Sequence, residues 1–149
     1  MVANRAVALL DVNVLLAMGW SEHASLPAVE AWIGRHAGRG WATCPLTEAG
    51  FVRILSNPAF SRGGISLGGA QAALRDLLRH PAHEFWPDRL NFAEAMALFG
   101  HRLQGHSQIT DAYLLALALH NHGRLVTLDR GVRALLAADS PLQAAIVTL

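Results

Sequence analysis

Near the start of the chain, the apolar run Ala6–Leu10 leads directly into Asp11. A short continuous apolar run rich in Val and Leu is typical of a strand that is covered on both faces. In open α/β sheets, ligands bind beyond the carboxyl ends of the strands, which is where we expect Asp11 to lie. A buried carboxylate is costly without a positive partner, and no Arg or Lys adjoins Asp11. We therefore infer that a metal ion binds there, together with carboxylates from later in the chain.

Short apolar segments and helical patterns alternate through the rest of the sequence. Further strands are predicted at Trp41–Cys44, His83–Trp86 and Leu125–Leu128, with an edge strand at Ala144–Leu149. The predicted helices cover Val14–Met18, Pro27 to the glycines at 38 and 40, Thr47–Leu55, Ser66–Arg79, Asn91–Phe99, Asp111–Asn121 capped by Thr110, and Gly131–Ala137. We also expect a loop at Phe60–Gly64, an inward-facing Phe92, and Gly123 in the left-handed position that ends a helix. This alternation predicts an α/β fold with a largely parallel sheet and helices on both faces. The length favours a single domain, 1–149.

Composition restricts the class of protein. The chain is 52% hydrophobic and 15% charged, which suits a packed core and excludes a disordered chain. Its formal net charge of +1 gives no global attraction for nucleic acid, so such a partner would have to be bound by local groups. The single cysteine, Cys44, allows no internal disulfide, and no apolar run approaches the roughly 20 residues that cross a bilayer. We expect a soluble, cytoplasmic protein without a membrane partner.

Four acidic residues occupy equivalent places in the predicted elements. Asp11 and Asp129 end apolar strands, whereas Glu48 and Asp111 stand in the first turns of apolar helices, each directly after a threonine. Strand carboxyl ends and the amino ends of the following helices share one edge of a parallel sheet, so all four can converge there. Each alone also has a structural explanation, because a carboxylate favours a helix amino end and Asp is common in turns.

Carboxylates that converge repel one another and raise each other's pKa values. A hard divalent cation relieves that repulsion, and oxygen ligands favour Mg²⁺ or Mn²⁺. No Cys or His spacing predicts a zinc site, since His120 and His122 are too close in sequence to share a helix face. Among the histidines, His106 is the candidate to assist at the acidic site.

The four acids lie in four sequence motifs, which are Leu10–Leu15, Glu48–Pro58, Thr110–Ala118 and Thr127–Arg130. These motifs resemble the signatures of PIN domains, and more narrowly those of VapC-type toxins of bacterial toxin–antitoxin pairs, in their order and their separations. The resemblance runs from Ala8 to Arg133. The region Arg62–Arg89 carries no motif of the family.

The resemblance implies a three-layer α/β/α sandwich and a metal-dependent endoribonuclease whose catalytic, metal-binding residues are Asp11, Glu48, Asp111 and Asp129. Asp11 and Asp111 would bind one Mg²⁺ or Mn²⁺, Asp129 would complete the shell, and Glu48 would hold a second ion or orient the attacking water. The resemblance also implies an RNA substrate, a homodimer and a VapB-type antitoxin. A structured RNA such as tRNA would suit sequence-specific recognition of unpaired bases.

Supporting roles fall on residues near the four acids. Asn13 and Thr127 match family positions that support the site, with ordinary strand-end hydrogen bonding as the alternative. Candidate contacts to RNA phosphates are Arg53, Arg102, Arg130 and His106. Candidate dimer faces are the apolar helix surfaces near Trp32 and Leu74.

Three other functions fit parts of the pattern. A haloacid-dehalogenase-like phosphatase needs a second aspartate two residues after the first and a lysine, but Asn13 holds that position and the chain has no lysine. A PIN-like module that binds RNA or protein without cleaving it would have no use for four repelling carboxylates. A PIN nuclease that processes RNA outside a toxin pair carries the same motifs.

Overall fold

A computed structural model describes residues 6–149 of the chain. These residues form five strands: β1 (Ala8–Leu10), β2 (Trp41–Thr43), β3 (His83–Phe85), β4 (Arg124–Thr127) and β5 (Ile146–Thr148). All pairings are parallel, in the order β3-β2-β1-β4-β5. The strands that end beside Asp11 and Asp129, β1 and β4, are therefore neighbours near the middle of the sheet. The predicted parallel α/β architecture is confirmed.

Seven α-helices within residues 6–149 cover the sheet. They are α1 (Val12–Gly19), α2 (Leu26–His36), α3 (Pro45–Leu55), α4 (Pro58–Ser61), α5 (Leu67–Leu78), α6 (Phe92–Ala97) and α7 (Ile109–His120). The core of one face joins Ala8 and Leu10 to helices α1, α2, α3 and α5, whereas Leu9 points into the other core, with α6 and α7. Alternate residues of a strand point to opposite faces, so β1 contributes to both cores. The result is the three-layer α/β/α sandwich that the family resemblance implied.

Helix α7 is the most buried helix, because every residue from Ala112 to Ala118 is buried. A helix that is apolar all round must be covered on all sides, here by the sheet and α6. The prediction that Thr110 caps it is wrong. A 3-10 turn, His106–Gln108, precedes the helix, and the Gln108 side chain accepts hydrogen bonds from the backbone of Gln104 and Gly105. The helix therefore begins two residues earlier, at Ile109, with Asp111 still in its first turn.

The end of α7 also differs from the sequence prediction. Gly123 was expected in the left-handed position after the helix, but His122 takes it, with φ of 53°. The backbone N–H groups of His122 and Gly123 donate to Leu119 and Ala118, which is a Schellman ending. Gly123 is needed for a different reason, because a Cβ there would lie 2.5 Å from the Val7 carbonyl oxygen and 2.6 Å from the Trp86 ring.

Several predicted boundaries move by a few residues. Helix α3 starts at Pro45 instead of Thr47, because the Thr47 hydroxyl bonds the backbone of Cys44 at the amino end. The predicted loop at 60–64 begins inside the short helix α4. The predicted helix at 131–137 is a 3-10 helix, Arg130–Leu135, and the last strand is shorter than Ala144–Leu149 but lies at the expected edge.

Two apolar side chains are oriented differently from the prediction. Phe92 was expected in the core but is 48% exposed and stacks on Tyr113. The exposed apolar face predicted near Trp32 is wrong, because Trp32 is buried among α1 and α2, and Leu74 is half-buried. Within residues 6–149, no helix has the length and apolar character required to cross a membrane.

Candidate active site

The site is built around Asp11, which directly follows β1 and precedes α1. Its Oδ1 accepts a hydrogen bond from the backbone N–H of Val12 at 2.7 Å, so the carboxylate also caps the helix. The hydroxyl of Thr127, the last residue of β4, donates to Oδ2 at 2.7 Å. Asp11 is only 5% exposed. Because β1 and β4 pair directly, the sheet itself fixes this carboxylate against Thr127.

Asn13 and Thr127 tie the ends of the two central strands together. The Asn13 amide nitrogen lies 3.3 Å from Asp11 Oδ2 and 3.3 Å from the Thr127 hydroxyl, and its oxygen accepts from the backbone of Leu128 at 3.1 Å. The Thr127 hydroxyl also accepts from the backbone N–H of Asp129 at 3.0 Å. Both predicted supporting residues thus lie at the site. Through Thr127, the same contacts place the backbone of Asp129 near Asp11.

Three aspartates share an electrostatic environment at this edge. Burial raises the pKa of Asp11, a neighbouring Asp129 raises it further, and the hydrogen bonds from Thr127, Val12 and Asn13 oppose that rise. Burial, followed by the charges of Asp11 and Asp129, raises the pKa of Asp111 to about 7. Near neutral pH and without a cation, Asp111 is therefore partly protonated. The repulsion among the three is the kind that a bound divalent ion removes.

The donor set fits Mg²⁺ or Mn²⁺ in its chemistry, since all three groups offer hard carboxylate oxygens, from the buried Asp11, the half-buried Asp111 and the exposed Asp129. Within residues 6–149, however, no group of three or more His, Cys, Asp or Glu side chains is arranged closely enough to hold a metal ion. The fold therefore brings the aspartates to the same edge of the sheet, but their side chains are not yet spaced as ligands of one ion.

Glu48 lies at the same edge of the sheet as the three aspartates, but its hydrogen-bond partner comes from a different strand. It lies in the first turn of α3, beyond the end of β2, and its Oε1 accepts a hydrogen bond of 2.6 Å from the Thr43 hydroxyl. Burial, followed by the charges of Asp11 and Asp129, raises the Asp111 pKa. The fourth predicted acid, Glu48, lies at the same edge of the sheet and is held by Thr43.

Sequence reasoning missed two residues near Glu48, which are Thr43, its hydrogen-bond donor, and His83, which contacts Thr43. The Thr43 hydroxyl also lies 2.8 Å from Nε2 of His83, at the start of β3. A threonine at the end of a predicted strand, five residues before an acid, is a signal that could have been used for Thr43. His83 is 40 residues away in sequence, and only the pairing of β2 with β3 brings it near.

The four predicted phosphate contacts lie at different distances along the chain from the acids. Arg130 is exposed and follows Asp129 directly, and His106 is exposed in the 3-10 turn before α7. Arg53 is exposed in the last turn of α3, and Arg102 is half-buried in another 3-10 turn. The one ion pair among residues 6–149 joins Arg79 to Asp76, so none of these arginines is bound to a carboxylate there.

A model of the PIN domain family matches residues 8–136. The chain belongs to the PIN domain family. This PIN domain contains the three aspartates, Glu48, Thr43 and His83 all within the matched segment. The family match also removes the dehalogenase-like phosphatase as an alternative.

Three ribonucleases of Mycobacterium tuberculosis are similar to this PIN domain. Ribonuclease VapC44 is 39% identical over 142 residues, which cover 95% of this chain and 99% of that protein. Ribonuclease VapC39 is 41% identical over 122 residues, covering 82% and 88%. Ribonuclease VapC38 is 40% identical over 126 residues, covering 85% and 87%. The resemblance to VapC-type PIN domains is therefore confirmed.

A solved structure shares the fold. The crystal structure of PAE2754 from Pyrobaculum aerophilum superimposes with a TM-score of 0.63 at 20% identity, covering 96% of this chain and 84% of that one. At this identity the likeness concerns the arrangement of helices and strands alone.

Proposed function

We propose that this PIN domain is a Mg²⁺- or Mn²⁺-dependent endoribonuclease and the toxin of a VapBC-type toxin–antitoxin pair. The observation that carries the proposal is the convergence of Asp11, Asp111 and Asp129, where burial and then the charges of the other two aspartates raise the Asp111 pKa to about 7. This arrangement occurs in a chain that is 39% to 41% identical to VapC ribonucleases. Structural ion pairing does not account for it, since no Arg or His forms an ion pair with these aspartates in residues 6–149.

Asp11, Asp111 and Asp129 would hold the divalent ion, and Asp11 would contribute the oxygen that is best fixed. When bound, the ion lowers the pKa of a water molecule and neutralises charge on the scissile phosphate. Thr127 and Asn13 keep the Asp11 carboxylate oriented through their hydrogen bonds. Glu48 Oε1 accepts a hydrogen bond from the Thr43 hydroxyl. Its other oxygen, Oε2, would then orient the attacking water or hold a second ion. In-line attack would leave 5′-phosphate and 3′-hydroxyl ends.

Cationic side chains around the acids would offset their repulsion of RNA. Arg130 and His106 adjoin Asp129 and α7, and both are exposed to solvent. Arg102 and Arg53 would contact phosphates farther along the strand. A planar guanidinium can bind a phosphate through two parallel hydrogen bonds, which suits this role.

The toxin part of the proposal rests on the relation to VapC proteins. A VapB-type antitoxin would bind the protein in the cytoplasm and block RNA from the acidic edge, and the toxin itself would be a homodimer. Growth arrest on expression, relieved by co-expression of a small neighbouring reading frame, supports this part. Growth arrest without relief by any neighbour would favour the alternative, a PIN nuclease that acts in RNA processing.

Replacement of the central acid tests the catalytic part. Asp11→Asn removes one charge and retains the shape, so purified mutant protein should lose Mg²⁺-dependent RNA cleavage almost completely. Asp139→Asn is the matched control, because Asp139 is exposed and lies outside the site. Excess EDTA should abolish wild-type cleavage, and Mn²⁺ should restore it. Cleavage by Asp11→Asn at the wild-type rate would overturn the proposal and favour a module that binds RNA without cutting it.

A further inference from the structure

The hydroxyl of Thr43 connects Glu48 to a histidine on the neighbouring strand. Thr43 is the last residue of β2 and is fully buried. Its Oγ1 lies 2.6 Å from Glu48 Oε1 and 2.8 Å from His83 Nε2, and both are short, direct contacts. The three side chains therefore form a continuous chain from the edge strand β3 to the first turn of α3.

The chemistry of the three groups sets the direction of these hydrogen bonds. A carboxylate can only accept, and a threonine hydroxyl has one hydrogen to donate, which goes to Glu48. The Thr43 oxygen must then accept from His83, so the imidazole carries a proton on Nε2. Thr43 thus has one partner on each side, and its hydrogen bond to Oε1 restricts the rotation of the Glu48 carboxylate.

The histidine at the far end is itself held in place. The backbone N–H of His83 donates to the His80 carbonyl at 2.9 Å, and the ring packs against the buried indole of Trp41 at a centroid distance of 4.9 Å. The register of the strands pairs Trp41 with His83, so the same pairing that forms the sheet sets the position of the ring. The donor to Thr43 is thus fixed by main-chain structure.

A buried threonine at the end of a strand also holds Asp11. Thr127 is fully buried as the last residue of β4, and its hydroxyl donates to Asp11 at 2.7 Å. Two strand-end threonines thus each fix one acid of the site. The correspondence indicates that Thr43 acts on Glu48 as Thr127 acts on Asp11.

We propose that Thr43 and His83 are positioning residues for RNA cleavage, which fix Glu48 so that its free oxygen faces the attacking water. This inference rests on the proposed ribonuclease function. A carboxylate that is misplaced by about 1 Å costs up to about 100-fold in rate, so the loss of either member should lower kcat and leave KM little changed.

Removal of the Thr43 hydroxyl is the first test. Thr43→Val keeps the shape of the side chain, and kcat for RNA cleavage should fall about 10- to 100-fold. Thr43→Ser, which retains the hydroxyl, should restore most of it. Thr148→Val is the matched control, because Thr148 ends β5 and its buried hydroxyl has no hydrogen-bond partner within residues 6–149. Wild-type kcat in Thr43→Val would overturn the inference.

A double-mutant cycle separates positioning from a general loss of structure. If Thr43 acts through Glu48, Thr43→Val should cause no further loss in a Glu48→Gln background. His83→Leu should lower kcat in the same non-additive way, and His83→Gln, whose amide can donate from a similar position, should recover part of it. Additive losses in the cycle would overturn the inference.

The outcomes also distinguish this inference from the proposed function. Wild-type turnover in Glu48→Gln would contradict the catalytic role proposed for Glu48, and with it the positioning role proposed for Thr43 and His83. An inactive Glu48→Gln combined with a fully active Thr43→Val would overturn only the positioning role. If thermal melting shows that Thr43→Val does not fold, the His83→Leu and His83→Gln pair decides, because His83 is half-buried on the edge strand.

Discussion

The junction of β1 with β4 and the junction of β2 with β3 hold carboxylates by similar means but in different surroundings. Thr127 and Thr43 are both fully buried strand ends, and each donates a hydrogen bond of 2.6 or 2.7 Å to an acid. Around Asp11 the neighbours are further aspartates, and burial together with these charges raises the Asp111 pKa. Around Glu48 the neighbour is His83. The first junction therefore gains from a bound cation, whereas the second needs none to hold its acid.

The largest expected effect is that of Asp111→Asn on activity and stability together. Loss of this proposed metal ligand should lower RNA cleavage by about 10³-fold, since several kcal/mol of charge stabilisation would be removed. Without metal at pH 8, the same change should stabilise the fold by about 1–2 kcal/mol, because it removes a charge that burial and two neighbouring aspartates disfavour at a partly exposed position. Urea unfolding and a cleavage assay measure the two effects. A destabilised Asp111→Asn protein would mean that the two junctions do not differ in the expected way.

The pH dependence of metal binding gives the next largest effect. The folded-state pKa of Asp111 is raised to about 7, so folding penalises the charged form, and the metal-free protein loses stability as pH rises from about 4 to 7. The penalty is complete above pH 7 and absent below pH 4. Mn²⁺ should therefore raise Tm more at pH 8 than at pH 5. An equal shift at both pH values, or none at millimolar Mn²⁺, would contradict a metal site at this junction.

The two threonines should differ in their effect on stability. Thr127→Val leaves the buried Asp11 without its shortest side-chain hydrogen bond and should cost about 2 kcal/mol. Thr43→Val should cost about 1 kcal/mol, because Glu48 is more exposed and can find water. Only Thr127→Val should also reduce the Tm shift produced by Mn²⁺. Equal costs in the two variants, measured by urea unfolding, would show that the surroundings of the two acids matter less than their hydrogen bonds.

The smallest effects concern the arginines beside each junction. Arg130 follows Asp129, and Arg130→Gln should raise KM for RNA about two- to fivefold, as expected for one exposed charge. Arg53 lies in the last turn of α3, and Arg53→Gln should change KM by less than about twofold. Cleavage kinetics at two salt concentrations measure both. A larger effect for Arg53 would place the path of the RNA along α3.

The parts of this fold that sequence analysis predicted are those that follow from local pattern. The apolar run before Asp11 and the alternation of strands and helices were sufficient to place four acids at one edge of a parallel sheet. The wrong predictions involve competition between neighbouring backbone arrangements. Thr110 does not cap α7, because Gln108 closes a 3-10 turn ahead of it, and His122 takes the left-handed position because Gly123 is needed for close packing.

The link from His83 to Glu48 could not be predicted for a different reason. It depends on the register of β2 against β3, which pairs Trp41 with His83 and brings the imidazole to the threonine at the end of the neighbouring strand. A shift of one residue in that register would turn the imidazole to the opposite face of the sheet. One sequence contains no measure of that register, because β3 is three residues long and mostly exposed.

Helix α7 connects the catalytic edge to the interior of the protein. Asp111 stands at its start, and the next seven residues, Ala112–Ala118, are all buried. Local opening of such a segment would expose the whole apolar core on its face of the sheet, so it should open only when the entire molecule unfolds. Displacement of Asp111 by local unfolding should therefore cost as much free energy as unfolding the whole protein. A partner that silences this protein would have to cover the acidic edge, because melting this helix to displace one carboxylate would require the free energy of global unfolding.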